Sequence, residues 1–408
     1  MIGMADNALG LYLSIPFCRS KCTYCNFASG VYPASDHERY INRIIEDMAE
    51  APAWAAHSGV ELPRNVDTVY LGGGTPTLLA SGLIARLFAA MRAHFRFEPG
   101  AEITVECAPG QLAGSALDAM VAAGVNRVSL GAQSFIDREA AVSGRLHTRS
   151  TILEDIRRLQ AAGIHNLSVD LIAGLAGQTF ASWQESLQVL IDCGVPHASI
   201  YMLEIDEDSR LGREMLAHGA RYHAGLVPTD DAIARMYSDA IQSLTAAGLA
   251  QYEISNFCRP GFASRHNLRY WQRRPYLGLG LDASSMLREA SPEAGSSAVA
   301  RVLRSTTTSD LNAFFDHTEP EETAWLLPHQ QHEEAWFLGL RLNAGVDIHA
   351  LETEFGHAPV APALAVVARL QQSGLVVTHG NTVRLTPQGQ LLSNDVFQEF
   401  LELEKSVH

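Results

Sequence analysis

Along the first two-thirds of the chain, short apolar runs alternate with longer segments whose apolar residues recur at helical spacing. The runs Leu11–Ile15, Thr68–Leu71, Glu102–Glu106, Arg127–Leu130, Leu167–Ile172 and Ala198–Leu203 read as strands. The segments near 36–56, 79–95, 114–123, 150–162, 180–193 and 229–247 read as helices. Such alternation implies right-handed βαβ units and a parallel sheet. Six repeats suit a partial or complete barrel. A Rossmann sheet is the alternative, but no G-x-G-x-x-G follows any of these strands.

After the repeats the pattern changes. The stretch 288–310 is rich in Ser, Ala and Thr and reads as a linker or surface excursion. Helical patterns follow near 309–316 and 329–341. Two β-rich runs then flank Gly380-Asn381 within 374–386, which reads as a hairpin. The expected fold is therefore α/β: a partial (β/α)6 TIM-like barrel with a smaller C-terminal α+β domain. The expected division is a barrel core over 1–228, its completion over 229–308, and a helical and hairpin domain of winged-helix type over 309–408. That last domain is read as a packing lid for the barrel rather than a DNA-binding module.

Composition narrows the class. The chain has 408 residues, 47% hydrophobic and 18% charged, enough for an ample core. Met1 to Gly10 carries no basic n-region and no apolar h-region, so no signal peptide is expected. No run of eighteen apolar residues appears, so no membrane span is expected, though peripheral association stays open. With reduced thiols this points to the cytoplasm. A net charge of -15 argues against nucleic-acid binding, which needs a basic face. Arg265, Arg269, Arg273 and Arg274 nevertheless form a local basic patch. A monomer and a dimer are both compatible with the sequence.

Candidate chemistry centres on Cys18, Cys22 and Cys25, a CxxxCxxC set directly after the first strand. Fe–S clusters usually take four thiolates, so three leave one iron of a four-iron cubane open for another ligand. Zinc is the alternative, but zinc sites favour a second Cys or His pair, and none is present. Cys107, Cys193 and Cys258 are isolated and read as small buried hydrophobes.

Polar residues gather where strands end, which is where barrels place their sites. Gly72, Gly73 and Gly74, followed by Thr75, form a bend without Cβ atoms that lets a ligand approach the backbone. Glu106 ends the third strand, Gln133 the fourth, and Asp170 lies in the fifth. Arg145 can fork a carboxylate. Any one of these can be an ordinary structural polar residue. Their recurrence at strand ends carries the reading.

Together, Ile15-Pro16-Phe17-Cys18, Tyr24-Cys25, the Gly-Gly-Gly-Thr-Pro-Thr run, Gln133-Ser134-Phe135 and Asp170-Leu171-Ile172 resemble the radical S-adenosylmethionine (SAM) superfamily. Within it they are similar to the coproporphyrinogen III oxidases and their relatives. The resemblance implies a [4Fe-4S] cluster whose open iron is chelated by SAM, and one-electron cleavage of the sulfonium to a 5′-deoxyadenosyl radical. Carried over by motif, Tyr12, Gly72, Gly73, Gly74, Thr75, Glu106, Gln133, Arg145 and Asp170 line that cofactor. Glu204 and Ser284 match weaker parts of the pattern.

Two features separate the branches of the subgroup. The oxidases resemble CxxxCxxCxC, whereas Phe27 stands at the fourth cysteine position here. They also carry a longer extension before the first strand. Arg265-His266-Asn267-Leu268-Arg269-Tyr270-Trp271 instead matches an HNxxYW motif of the haem-chaperone branch, as do the endings 384–389 and 392–397. This resemblance implies haem as a third cofactor, apo-haemoproteins such as respiratory enzymes as acceptors, and a haem donor protein as a further partner. A neutral His266 suits an axial iron ligand, Tyr270 and Trp271 offer aromatic faces, and the arginines can pair with propionates. The alternative is that His266 and Trp271 pack at a strand–loop junction. Many relatives carry a histidine where this chain has Ser284. The alternative function is an oxygen-independent coproporphyrinogen III oxidase. A plain electron-transfer or structural Fe–S protein leaves the glycine run and the strand-end set unexplained.

Overall fold

The structure is a computed structural model and describes residues 8–290, 299–318, 321–401 and 403. The expectation of no signal peptide rests mostly on residues outside that range. Six strands run in chain order through the sheet: β1 (Leu9–Ile15), β2 (Asn65–Gly73), β3 (Arg96–Cys107), β4 (Arg127–Gln133), β5 (Asn166–Ala173) and β6 (His197–Met202). Each is parallel to the next. β1 shows why: Leu9, Leu11, Leu13 and Ile15 are all buried, and its other positions are nearly so. A strand covered on both faces reads as a continuous apolar run and suits a parallel sheet flanked by helices.

Crossover helices Ala34–Ser58, Ser81–His94, Gly114–Ala122, Arg149–Ala161 and Phe180–Asp192 join these strands. Their starts and stops follow local chemistry. Thr148 accepts from the Thr151 amide, Thr179 forms a capping box with Ser182, and Gly59 ends the first helix at φ 71°. The helix Asp230–Ala246 packs behind β6, and its Met236 carbonyl accepts from the buried Trp183 indole.

The sheet does not close on itself. Beyond β6 it adds the antiparallel hairpin β7 (Ala250–Glu253) and β8 (Asn256–Cys258). Beyond β1 it adds β9 (Tyr276–Leu279), then β10 (Ser284–Arg288), β11 (Val302–Thr306) and β12 (Glu322–Leu326). The result is an open six-repeat barrel: β9 runs parallel to β1, and β10 to β12 at that edge and β8 with β7 at the other are antiparallel.

The stretch expected as a linker is thus partly a paired strand. Leu287 faces Leu303 in the register of β10 and β11, while 291–298 lies outside the described residues. β11 reads Val302-Leu303-Arg304-Ser305-Thr306, two apolar residues followed by three polar ones, a weak strand signal. Leu311 and Phe314 also pack in the barrel's core, and the smaller core begins only with Ala335. The expected cut at 309 therefore falls inside the barrel.

That smaller unit has helices Pro328–Leu340, Ile348–Phe355 and His357–Gln372, then β14 (Val376–His379) and β15 (Thr382–Leu385), with β13 (Val346–Asp347) pairing against β15. Trp336 stacks on Phe400 at 5.0 Å in its centre. Arg273 ties the barrel to this unit through Glu354, at 2.6 and 3.0 Å.

Candidate functional site at the barrel mouth

A cavity of about 970 Å³ lies at the C-terminal ends of the strands. Its wall brings together Cys18, Cys22 and Cys25 with Gly73, Gly74, Thr75, Glu106, Gln133, Arg145, Asp170 and Glu204. Residues 391–395 of the C-terminal unit form part of the same wall.

The cysteine loop follows β1 and is pinned from both sides. Its Cys18 amide donates to the Gly30 carbonyl at 2.8 Å, and the Thr23 amide donates to Ser143 at 3.1 Å. Lys21 donates to the carbonyls of Phe27 and Ser29. Arg145 donates to Cys22 Sγ at 3.5 Å and to the Gly131 carbonyl. Its Nε has no hydrogen-bond partner among the described residues, although it is buried. Among the described residues, no three His, Cys, Asp or Glu side chains meet as a single metal ion would need. A cubane differs in this respect, because each thiolate takes a separate corner.

The glycine bend is required by geometry. A Cβ on Gly74 would sit 2.7 Å from the Ile15 carbonyl oxygen and 2.9 Å from the Phe17 amide, both backbone atoms. Gly73 adopts φ 93°, in the region L side chains disfavour. The cysteine loop can therefore lie directly against the bend. The donor set, the close approach and the unpartnered Arg145 nitrogen fit a cluster with a small polar ligand.

The carboxylates sit deeper. Tyr70 donates to Glu106 Oε1 at 2.8 Å. Burial pushes the Glu106 carboxyl up to about 7; the Tyr70 hydroxyl opposes that shift and the nearby Asp170 charge adds to it. Asp170 accepts from Ser129 at 3.0 and 3.1 Å and from Ser168 at 3.1 Å. Burial raises its pKa too, opposed by the serine hydroxyls, that of Ser199 first. Sequence reasoning did not single out these serines. Their signal is register: Ser129 pairs with Ser168, and Asp170 with Ser199. Gln133 lies in the left-handed region at φ 67°, at an irregularity between β4 and β5. That conformation is costly for a residue with a Cβ and recurs where a chain serves a site.

Not every expected residue reaches the cavity. Tyr12 lies one layer below, its ring 6.2 Å from Tyr70, and Gly72 backs onto Glu106. Ser284 is on β10, with its hydroxyl 3.0 Å from that of Thr306, away from the cavity wall. Cys107 does border the cavity, but it is buried beside Thr77 at 3.7 Å.

The HNxxYW segment is a helix, Arg265–Trp271, that plugs the opposite end of the barrel. The carboxylate of Glu102 accepts the amides of Arg265 and His266 at its start. His266 is 0% exposed. One ring nitrogen is 2.9 Å from the Thr68 hydroxyl, the other 2.9 Å from the Tyr270 hydroxyl. Burial first, then Arg269, lowers its pKa to about 3, so the ring is neutral. The expectation of His266 as an available axial ligand, with Asn267, Tyr270 and Trp271 forming a haem face, is corrected for this conformation. Ligation there requires the helix to withdraw and both hydrogen bonds to break. The arginine patch is corrected as well. Arg265, Arg269 and Arg274 converge on Asp67, and Arg273 on Glu354. Sequence proximity could not reveal that one distant acid engages three of these arginines, as the 202-residue separation of Arg269 and Asp67 shows.

An open (β/α) barrel with a thiol triad against a glycine bend defines the radical SAM class, and residues 12–190 match the model of the Radical SAM superfamily. Residues 326–392 match the HemN C-terminal domain. The heme chaperone HemW of Lactococcus lactis is 30% identical over 96% of each chain, and that of Bacillus subtilis 31% identical over 96% of this chain and 98% of the relative. The chain belongs to the HemW family of the radical SAM superfamily. Membership implies a [4Fe-4S] cluster and SAM. The solved coproporphyrinogen III oxidase HemN of Escherichia coli superposes with a TM-score of 0.80 at 21% identity, over 96% of this chain and 90% of that one. That likeness establishes the shared fold.

Proposed function

We propose that this chain is a haem chaperone that binds haem and SAM beside a [4Fe-4S] cluster and delivers haem to apo-haemoproteins such as respiratory enzymes. One observation carries the reading. A single cavity gathers the thiol triad and the strand-end polar set, on a chain matched along nearly its whole length by haem chaperones.

Cys18, Cys22 and Cys25 would hold three irons. Gly73, Gly74 and Thr75 would receive the polar end of SAM, with Tyr12 and Gly72 supporting from below. Glu106, Gln133, Asp170 and Glu204 would orient it by hydrogen bonds, and Arg145 would offset the charge of the thiolates. When bound and reduced, the cluster and SAM supply one-electron cleavage of a sulfonium bond. The residues of this chain bind, orient and shield. Phe27, at the fourth cysteine position of the oxidases, leaves the loop with an exposed apolar tip beside the triad.

In this reading the chain divides near the end of β12, with the barrel before it and a lid after it. No helix among the described residues is long and apolar enough to cross a membrane. The proposed setting is the cytoplasm, with a haem donor and an acceptor as transient partners and no nucleic acid.

The test is transfer. Protein reconstituted anaerobically and loaded with haem is mixed with an apo-haemoprotein, and the acceptor's Soret band is followed. Transfer should occur for the native chain and fail or slow for Cys22→Ala. Conversion of coproporphyrinogen in the presence of SAM and a reductant, without haem transfer, would select the oxidase alternative.

A further inference from the structure

The cavity is larger than its cysteine end needs. At about 970 Å³ it stands at the top of the ~300–1,000 Å³ range of small-molecule pockets. Four cations line it: Arg19, Lys21, Arg145 and Arg341. Lys21 and Arg145 are held by carbonyls and a thiol, and Arg19 is exposed on the cysteine loop.

Arg341 is different. It follows the helix Pro328–Leu340 and enters the wall beside Tyr201 and Ser255. Its guanidinium carbon lies 4.2 Å from the Trp271 ring centroid. Its nearest acid, Glu253, is 4.0 Å away, outside hydrogen-bond distance. Its Nε is buried and unpartnered, as are Glu253 Oε2, Asn256 Oδ1 and Trp271 Nε1 nearby. A charged donor without an acceptor is costly unless a ligand or water completes it. The floor helix thus reaches the cavity indirectly, because its last aromatic ring supports Arg341.

We propose that Arg341 is the carboxylate clamp of this cavity and takes a propionate of the tetrapyrrole. Phe27, Leu146, Tyr201 and Leu392, large and exposed, line the same cavity and offer apolar contact for the macrocycle. This rests on the haem-chaperone reading and adds a site within it. A guanidinium fork pairs with a carboxylate through two parallel hydrogen bonds. An esterified propionate accepts more weakly and carries no charge. The SAM carboxylate is the competing occupant, and the experiment separates the two.

The experiment is a spectroscopic titration of the reconstituted native chain with haem and with haem dimethyl ester, repeated for Arg341→Gln and Arg341→Lys. The native chain should bind haem about tenfold or more tightly than the ester, as expected for a charge-assisted hydrogen bond. Arg341→Gln should lose that preference while its SAM affinity stays unchanged, and Arg341→Lys should keep part of it. If the native chain binds haem and ester equally, the clamp is refuted while the chaperone reading stands, and this holds even if the Gln variant does not fold. Lost SAM affinity in Arg341→Gln with the ester preference intact assigns Arg341 to SAM and also refutes it. A native chain that binds neither compound removes the chaperone reading and the clamp together.

Discussion

At the floor of the barrel, Asp67 is met by three arginines and Glu102 by two backbone amides. At the mouth, Arg145 and Arg341 each keep a buried nitrogen without an acceptor, and Gln133 holds a disfavoured backbone angle. Both ends use the same residue types. The floor's charged side chains are paired within the chain, and the mouth keeps charged donors for something else to complete. Buried polar groups are nearly always paired in folded proteins. A cluster of exceptions beside a cavity therefore marks a site more sharply than the presence of histidines or arginines does.

The largest effect should come at the mouth. Cys18→Ala, Cys22→Ala or Cys25→Ala should abolish the brown absorbance of the anaerobically reconstituted protein, because two thiolates hold a cubane poorly. The same substitution at Cys107, Cys193 or Cys258 should leave it intact. If Cys107→Ala lost the absorbance while Cys22→Ala kept it, the triad would be misassigned.

Next is the floor. Asp67→Asn removes the shared partner of Arg265, Arg269 and Arg274, of which Arg269 is fully buried. Breaking a buried pair from one side costs ~3–5 kcal/mol, read as a lower urea midpoint. Arg145→Gln, in contrast, should weaken SAM binding with a smaller loss of stability, since it gives up only the hydrogen bonds to Cys22 and the Gly131 carbonyl. Equal stability losses at both ends would erase the distinction between a finished floor and an unfinished mouth.

The contrast also explains what could be read in the sequence. The strands β1 to β6 were legible, because residues such as Leu11, Leu13, Val69 and Val169 are apolar by the demand of a doubly covered sheet, whereas the four-residue parallel strand β9 was not. The three cysteines stood out because they fall within eight residues, Cys18 to Cys25. The edges were not. β11 has only two apolar residues followed by Arg, Ser and Thr, and β7 and β8 are short, so pairing rather than propensity defines them. His266 misled because an aromatic and basic run looks the same whether it faces a ligand or fills a barrel end. Only the distant partners Thr68, Glu102 and Asp67 decide that.

A smaller effect should appear with pH. Glu106 stays protonated up to about 7, with Asp170, Arg145 and Tyr70 facing it. Its folded pKa lies above its ordinary value, so the folded state holds the extra proton between about 4.5 and 7, and its contribution to stability falls as pH rises through that window. The carboxylate accepts hydrogen bonds from SAM more strongly than the neutral acid does, so binding through it favours ionisation. SAM affinity should therefore rise from pH 6 to pH 8 with proton release, and Glu106→Gln should flatten the rise. A native profile with no slope would remove Glu106 from the SAM contacts.

The smallest expected effect tests the strain at the mouth. At an ordinary exposed position glycine is less stable than alanine by roughly 0.5–1 kcal/mol, because its unfolded chain is freer. At φ 67° a Cβ meets its own backbone, a cost of roughly 1–2 kcal/mol. Gln133→Gly should therefore be more stable than Gln133→Ala, with a net gap of about 1 kcal/mol or less in urea unfolding. Both variants lack the carboxamide, so both should bind SAM equally weakly. The inversion separates backbone from side chain: stability reports the angle and affinity reports the amide. If Gln133→Ala proved the more stable, the angle would carry no strain, and one of the marks that set the mouth apart from the floor would be lost.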